Sequence, residues 1–379
     1  MIRLRLSGNK MTELKWSEYD FTKIPFDDIV EVGQRTLLYR DLFTVSWLLG
    51  RFCNYRCSYC WPYARSDRKD HRPVDVCLAT VDEIKRQARA NGFNSFHFSL
   101  SGGEPTFHPG YLDILDHLAN DVENTNYTSI HMTSNCSRPM KWFEQYVEKA
   151  KPFHRASVTA SLHTEHLNTQ DKLQDFADKL KLCQEYDVQV TINMVMVPEW
   201  FERDWENALF FHEQGINVTL KPQSDPTASR VVEGYTEDHL KRLHNGMPQR
   251  AYTESKRTWA DRPRPAFKIP ADRDGSQNAS VPAHFQVEFT DSKGKKWYMD
   301  QAERFNAFNF NQFKGWNCNA GYQGIIIREP DGSIKRSYSC HDVPLGNIET
   351  GFNLFDKPMP CITNSCVSSA DSKIPKRKA

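Results

Sequence analysis

Three cysteines, Cys53, Cys57 and Cys60, stand within one stretch of eight residues. An iron–sulfur cluster requires several soft thiolates that converge on one small inorganic core, and this spacing supplies three of them. A zinc site is the alternative, but structural zinc normally takes a fourth Cys or His and a paired C-x-x-C spacing. The triplet therefore predicts an iron–sulfur cluster with one metal position left open for another molecule.

A second motif, Ser101-Gly102-Gly103-Glu104-Pro105, comes one predicted βα unit later. Its glycines allow the backbone to approach a ligand closely, and the Glu104 carboxylate can accept hydrogen bonds from an ammonium group. By itself this motif could be an ordinary turn. Combined with the Cys-x-x-x-Cys-x-x-Cys spacing after the first predicted strand, it resembles the radical S-adenosylmethionine (SAM) superfamily.

The resemblance implies two cofactors, a [4Fe–4S] cluster held by the three thiols and SAM bound at the open iron of that cluster. Tyr59 would then lie against the adenine of SAM, and Glu104 would accept the ammonium group of its methionine part. Ser161 and Asn193 resemble positions that contact the ribose or the carboxylate. The full set of implied SAM contacts is Tyr59, Ser101, Gly102, Gly103, Glu104, Pro105, Ser161 and Asn193.

The resemblance also implies a reaction. An electron from a flavodoxin- or ferredoxin-type donor would split SAM into methionine and a 5′-deoxyadenosyl radical, which takes a hydrogen atom from the substrate. Oxidation or epimerisation would follow, and Cys136 is the candidate hydrogen donor for epimerisation, with core packing as its alternative role. His163 and Lys221, at predicted strand ends, are candidate catalytic contacts to substrate, although the superfamily usually has an acidic residue near the position of His163.

Four further cysteines, Cys318, Cys340, Cys361 and Cys366, stand together near the C-terminus. Cys318 and Cys340 bracket a predicted hairpin that turns at Pro330-Asp331-Gly332. The set resembles the twitch type of auxiliary-cluster region in radical SAM proteins, which implies a second iron–sulfur cluster, of the [4Fe–4S] type, with all its positions closed. A tetrahedral zinc knuckle is the alternative. A closed cluster would transfer electrons or stabilise its surroundings.

The elements that must position these residues alternate between short apolar runs and amphipathic stretches, which is typical of a parallel sheet with crossover helices. We predict an α/β fold, a partial (β/α)6 TIM-like barrel, followed by a small cluster-binding domain that contains a β-hairpin. The carboxyl ends of barrel strands are where such folds build active sites. The six predicted strands are Thr44–Leu49, Ser95–Leu100, Tyr127–Thr133, Ala156–Leu162, Val188–Val197 and Ile216–Leu220.

Several local signals refine this prediction. Thr80-Val81-Asp82-Glu83 reads as a capping box that begins the first helix, with Cys77 ahead of it. Cys183 falls on the apolar face of the fourth helix and is expected to pack against the sheet. His97 and His131, inside strands, are expected to be core or helix-packing residues. We divide the chain into residues 1–40 as an N-terminal extension, 41–225 as the barrel, 226–310 as a connector with a hairpin, 311–370 as the twitch-like domain, and 371–379 as a solvated basic tail.

Composition limits the partners and the compartment. Lys and Arg (49) almost balance Asp and Glu (48), so we expect neither nucleic acid nor a membrane as a partner. Ten cysteines in a chain without an apparent signal peptide favour metal ligation over disulfides, and we expect a cytoplasmic protein.

The substrate is open to three interpretations. Only 52 residues precede Cys53, too few for the winged-helix domain often found on peptide-modifying relatives, so we expect a small polar substrate of the sugar or aminocyclitol type. A peptide-modifying enzyme that makes a cross-link or an epimerised residue is the alternative. A non-catalytic iron–sulfur or zinc scaffold or sensor is the alternative from another class.

Overall fold

A computed structural model describes residues 19–38, 41–61, 64–226, 230–249, 281, 285–300, 302, 304–328, 331–340, 344–366 and 368–379. They divide into two compact units, which we call the barrel unit (within 41–267 and 319–359) and the small unit (within 1–40, 268–318 and 360–379). The expected boundaries 41–225 and 311–370 do not coincide with this division. The predicted Arg- and Pro-bearing part of the connector, residues 262–278, lies outside the described residues.

The strands, in chain order, are β1 (Ile29–Gln34), β2 (Leu42–Leu48), β3 (Ser95–Ser101), β4 (Tyr127–Ser134), β5 (Arg155–Leu162), β6 (Val188–Met196), β7 (Asn217–Pro222), β8 (Val287–Asp291), β9 (Lys296–Met299), β10 (Asn317–Cys318), β11 (Gly324–Ile327), β12 (Ser333–Lys335), β13 (Pro344–Asn347), β14 (Gly351–Phe352), β15 (Met359–Pro360) and β16 (Lys376–Arg377). The helices are α1 (Arg35–Leu38), α2 (Val74–Ala90), α3 (Tyr111–Ala119), α4 (Met140–Ala150), α5 (Gln170–Glu185), α6 (Phe201–Glu213), α7 (Glu237–Asn245), α8 (Arg304–Ala307) and α9 (Ser369–Ser372). None of the described helices is long and apolar enough to cross a bilayer.

The barrel unit contains a ten-stranded sheet in the order β14-β13-β12-β11-β2-β3-β4-β5-β6-β7. Strands β2 to β7 pair in parallel with their sequence neighbours, so the predicted partial (β/α)6 barrel is confirmed. Strand β11 pairs in parallel with β2, and the predicted hairpin of β11 and β12 therefore extends the barrel sheet. This pairing places residues 319–359 in the barrel unit.

Alternation along the strands separates two faces of this sheet. In β3, Phe96, Phe98 and Leu100 are fully buried in the core formed with the helices, while the residues between them point to the opposite face. That opposite face, which we call the inner face, carries mostly hydroxyl, amide and imidazole groups. His97 and His131 lie on it, which corrects the expectation that they pack in the core or against helices. Residues on the inner face are Ser46, His97, Ser99, His131, Thr133, Ser157, Thr159, Ser161, Thr191, Asn193 and Thr219.

Helix α2 begins earlier than predicted. It starts at Val74, so Thr80 lies inside it, and the Thr80 hydroxyl donates to the carbonyl of Val76 instead of capping the helix. Cys77 is likewise a buried residue of this helix. The apolar spacing of Cys77, Val81 and Ile84 extends the helical pattern back by two turns, which outweighs the local capping signal. Cys183, on α5, is fully buried as predicted.

The small unit is built on a six-stranded sheet in the order β15-β10-β16-β1-β8-β9. The predicted hairpin of β8 and β9 is present, and it turns at Asp291, whose side chain accepts hydrogen bonds from the Lys293 and Lys295 backbone N–H groups. The tail residues Lys376 and Arg377 form β16 between β1 and β10, and the predicted solvated tail is wrong for Lys376, whereas Arg377 is exposed. The Lys376 side chain is buried as a result.

Candidate functional site

The cysteine loop, residues 53–60, leaves the carboxyl end of β2 and is tied to the motif that follows β3. The Gly103 N–H donates to the Gly50 carbonyl (2.8 Å), and the Glu104 N–H donates to the Phe52 carbonyl (2.6 Å). These two backbone hydrogen bonds fix the chain immediately before Cys53. The two motifs found in the sequence therefore form one structural element at the carboxyl edge of the sheet.

The glycines of the second motif are required by this backbone pairing. A Cβ atom on Gly102 would lie 2.3 Å from the Gly50 carbonyl oxygen, and one on Gly103 would lie 2.3 Å from the carbonyl oxygens of both Arg51 and Phe52. Gly102 also has a positive φ of 138°, which side-chain-bearing residues rarely adopt. We predicted that the glycines allow SAM to approach the backbone closely. In the structure they also allow the chain that leads into the cysteine loop to approach it.

The Glu104 carboxylate is almost fully buried, with 1% of the residue exposed. Its Oε1 accepts hydrogen bonds from the Thr106 N–H and O–H and from the Ser134 hydroxyl (2.8 Å), and its Oε2 accepts one from the Asn135 N–H (2.6 Å). Burial raises the pKa of this carboxyl, which the donors around it partly offset. Glu104 thus joins the end of β3 to the end of β4, and its predicted contact to an ammonium group stays a prediction.

The three thiols of the cysteine loop are more difficult to ionise than ordinary cysteines. Burial, with neighbouring thiolates and carboxylates, raises the pKa of Cys53 to about 11 and that of Cys57 to about 12, and burial raises the pKa of Cys60. In the described part of the chain, no three Cys, His, Asp or Glu side chains are already arranged as a metal site. Three thiolates on one loop therefore require a compensating cation in order to form together.

The loop after β5, residues 163–166, holds the segment between the cysteines. Glu165 accepts hydrogen bonds from the Ser58 N–H (3.0 Å) and hydroxyl (2.7 Å). His166 Nε2 accepts one from the Arg56 N–H (3.2 Å), and its ring stacks on Tyr55 with centroids 4.1 Å apart. We call residues 163–166 the clamp loop, because they contact four of the residues between Cys53 and Cys60.

Tyr59 and His163 form the fourth of these contacts. A hydrogen bond of 2.7 Å joins the Tyr59 hydroxyl to His163 Nδ1, and the two rings are stacked with centroids 5.8 Å apart. Burial lowers the pKa of His163 to about 4, so the imidazole is neutral near pH 7. His163 therefore positions Tyr59 in this structure, and its predicted contact to substrate stays a prediction.

Ser161 and Asn193 are brought together as the sequence suggested. They are direct cross-strand partners on β5 and β6, and Thr219 of β7 continues the same row. All three lie on the inner face near the carboxyl edge. Lower on the same face, His131 Nδ1 is hydrogen-bonded to the Ser157 hydroxyl (2.8 Å), and His97 Nδ1 to the Ser129 hydroxyl (2.8 Å). The inner face can thus present hydrogen-bonding groups to a polar molecule.

Cys136 lies just after β4, close to the cysteine loop. It has a positive φ of 53° and is 2% exposed, packed in the core beside Lys179 and Cys183 of α5. Together with Tyr55 it lines a cavity beside the cysteine loop. Burial raises the pKa of this thiol well above its usual range. Its burial fits core packing, and its predicted role as a hydrogen donor stays a prediction. Lys221, at the end of β7, is exposed to solvent.

The second cysteine set is buried. In the small unit, the Cys361 and Cys366 thiols are close enough to share a proton, which lowers the pKa of Cys361 and raises that of Cys366. The Cys361 Sγ also lies 3.4 Å from the Thr363 hydroxyl. Cys318 is close enough for its charge to raise the pKa of Cys366 further. Cys340 belongs to the barrel unit and is also buried.

Sequence reasoning missed several residues that organise the cysteine loop. Asn135 donates through Nδ2 to Asn54 Oδ1 (3.0 Å) and approaches Cys53 Sγ (3.8 Å), and Glu165 and His166 form the clamp described above. All three directly follow predicted strands. Their position at the carboxyl edge of a parallel sheet was the signal that could have identified them.

Residues 47–212 match the sequence profile of the radical SAM superfamily. No curated protein matches the chain. Among solved structures, native anSMEcpe with bound AdoMet and Cp18Cys peptide is 14% identical with a TM-score of 0.49, over 82% of this chain and 78% of that one. Streptococcus suis SuiB bound to precursor peptide SuiA is 19% identical with a TM-score of 0.38, over 56% of this chain and 46% of that one.

Residues 47–212 are therefore a radical SAM domain, which lies within the barrel unit. The cofactors of this superfamily are a [4Fe–4S] cluster and SAM. The residues present fit the cluster, because three soft donors share one fixed loop and their mutual repulsion is relieved by bound metal. Cys53, Cys57 and Cys60 are the residues that would hold it.

We predict that Gly103→Ala prevents the cysteine loop from taking its position, because the added Cβ would overlap two carbonyl oxygens. The amount of iron bound per chain after anaerobic reconstitution should decrease by the share that the cysteine loop would bind. The control is Gly215→Ala, since Gly215 has a positive φ but nothing within 4 Å of the added Cβ. That variant should lose about 1 kcal/mol of stability and keep its iron. Equal iron content in the two variants would contradict this explanation of the motif.

Proposed function

We propose that this enzyme reductively cleaves SAM at a cluster held by Cys53, Cys57 and Cys60 and abstracts a hydrogen atom from a polar substrate bound against the inner face. The observation that carries the proposal is the position of the clamped cysteine loop at the carboxyl edge of a sheet whose inner face is rich in hydroxyl groups. When bound, the cluster supplies the electron that splits SAM.

The residues of the chain itself would position the cluster ligands and SAM. The clamp loop and Asn135 fix the segment between the thiols, so that the open side of the site has one orientation. We propose that the adenine lies against Tyr59, whose hydroxyl is hydrogen-bonded to His163. Ser161 and Asn193, which are paired across β5 and β6, are proposed to exchange hydrogen bonds with the ribose or carboxylate of SAM.

Two substrate classes suit a polar inner face. A sugar or aminocyclitol would use the hydroxyl and imidazole groups of β4 to β6 as hydrogen-bond partners. A peptide is the other class, and peptides are what the two solved structures named above contain. A peptide would present one polar side chain to the same groups. We propose a hydroxyl-bearing substrate, and the experiments below separate the two classes.

The outcome that fits the described residues is oxidation. Epimerisation by a thiol would require an accessible cysteine beside the substrate, and Cys136 is 2% exposed. Cys318, Cys361 and Cys366 of the small unit are proposed as ligands of an auxiliary iron–sulfur cluster, which could accept the electron that an oxidation releases. We also propose an acidic flavodoxin- or ferredoxin-type protein as the electron donor.

We predict that Cys57→Ala abolishes SAM cleavage, because two thiolates cannot hold the cluster with an open iron. The measurement is 5′-deoxyadenosine formed from SAM and dithionite under anaerobic conditions. The matched control is Cys183→Ala, which removes a buried thiol of α5 that is not a proposed ligand. This variant should retain SAM cleavage. Undiminished cleavage by the Cys57 variant would refute the proposed function.

We predict that Thr159→Val weakens substrate binding about fivefold, because it removes one inner-face hydroxyl at constant shape. The assay compares deuterium-labelled sugars or aminocyclitols with deuterium-labelled peptides that contain serine or cysteine, and follows deuterium appearing in 5′-deoxyadenosine. Thr80→Val, a buried threonine of α2, is the control. Transfer from peptides alone would establish the peptide class, and an unchanged KM for Thr159→Val would exclude this part of the inner face as the substrate surface.

A further inference from the structure

Lys376 is a buried cation in the small unit. The residue is 3% exposed, and its ammonium donates three hydrogen bonds, to the carbonyl oxygens of Asp371 (2.6 Å), Ile374 (2.9 Å) and Ser372 (3.2 Å). Within the described residues, no carboxylate forms an ion pair with it. A charge taken out of water is costly unless an opposite charge lies near it. The carbonyl dipoles orient this ammonium, but they do not neutralise it.

Three thiols that can carry negative charge lie near this ammonium, as does Asp371, whose backbone carbonyl it contacts. Lys376 is the direct cross-strand partner of Cys318 in the pairing of β16 with β10. The Lys376 Nζ also lies 4.9 Å from the centre of the Phe313 ring, and the Cys361 N–H donates to the Trp316 carbonyl (2.7 Å) in the same segment. The charge of Lys376 favours the ionised form of both Cys361 and Cys366. The Ser372 hydroxyl donates to the Cys366 carbonyl (3.3 Å), and this bond ties the C-terminal segment to the thiol set.

The charge balance of a thiolate site explains why a cation would be kept there. Three or four thiolates carry more negative charge than a divalent metal ion or an iron–sulfur core neutralises. In a buried site this excess charge is costly, and a fixed ammonium nearby reduces the cost. All three N–H groups of Lys376 are already used by carbonyls, so it would act through its charge and not through a bond to sulfur.

We propose that Lys376 is the buried counter-charge of a metal–thiolate site formed by Cys318, Cys361 and Cys366, so that strand β16 is a functional part of that site. This inference rests on the proposed auxiliary site and adds to it a residue that no cysteine pattern identifies. It also gives the C-terminal strand a reason to be buried with a lysine at its first position. Lys376 touches no reacting atom and is a charge-compensating residue.

The test is the affinity of the full-length chain for Co²⁺, read from thiolate-to-cobalt charge-transfer absorption. Cys53, Cys57 and Cys60 are replaced by serine in all samples, so that only the second thiol set can contribute. Lys376→Met removes the charge and keeps the length of the side chain, whereas Lys376→Arg keeps the charge. Lys378→Met is the matched control, because Lys378 is exposed and lies over Trp316 in the same unit.

We expect Lys376→Met to weaken Co²⁺ binding at least about tenfold, and Lys376→Arg and Lys378→Met to stay within about threefold of the parent. Thermal unfolding of the metal-free proteins checks that each variant is folded, and Lys376→Gln replaces the Met variant if that one is not. Equal loss in the Met and Arg variants, or no loss in either, would overturn the role of the charge. A parent that binds no Co²⁺ would overturn the thiol site together with this inference, while SAM cleavage at the first site is tested separately by Cys57→Ala.

Discussion

The close approach of two backbone segments at the carboxyl edge of the barrel sheet is the constraint on which the site depends. Gly102 and Gly103 lie against the chain from Gly50 to Phe52 with no room for a Cβ atom, and two short backbone hydrogen bonds fix the result. This contact sets where the cysteine loop begins. The Glu104 carboxylate accepts a hydrogen bond from the Asn135 N–H, just after β4. The Asn135 side-chain amide in turn approaches the Sγ of Cys53. The motif that would contact SAM is thus also the motif that places the cluster ligands.

The two thiol sets solve the same charge problem in different ways. The cysteine loop has raised pKa values that the nearby Arg65 offsets only in part, so its thiolates depend on the metal for compensation. It is partly exposed, which suits a site that must admit SAM and an electron donor. The second set is buried and has a fixed ammonium beside it. The first site is open, which fits the SAM cleavage that we propose for it. The second site is closed and has its own counter-charge, which fits the electron acceptance that we propose for it.

The regular part of the fold was predictable from the sequence, because parallel strands of a barrel are buried on the helix side and alternate regularly. The strands β2 to β7 and the apolar face of α5 were predicted for this reason, as was the position of the cysteine loop and the Ser101–Pro105 motif after neighbouring strands. The start of α2 was missed, since a local capping signal at Thr80 competed with helical periodicity from Val74. The orientation of His97 and His131 toward the inner face follows from strand alternation. We had expected these two residues in the core or against helices, because a polar inner face was not anticipated. The burial of Lys376 depends on pairing with β1 and β10, which are distant in sequence, so a basic C-terminal segment looked solvated.

The central claim is that the cysteine loop holds a cluster with one iron open to SAM. The most direct measurement is the electron paramagnetic resonance spectrum of the anaerobically reconstituted, dithionite-reduced protein, recorded with and without SAM. The account predicts that SAM changes the signal of one cluster and that this signal is absent when Cys53, Cys57 and Cys60 are serine. A reduced cluster whose spectrum is identical with and without SAM would contradict it.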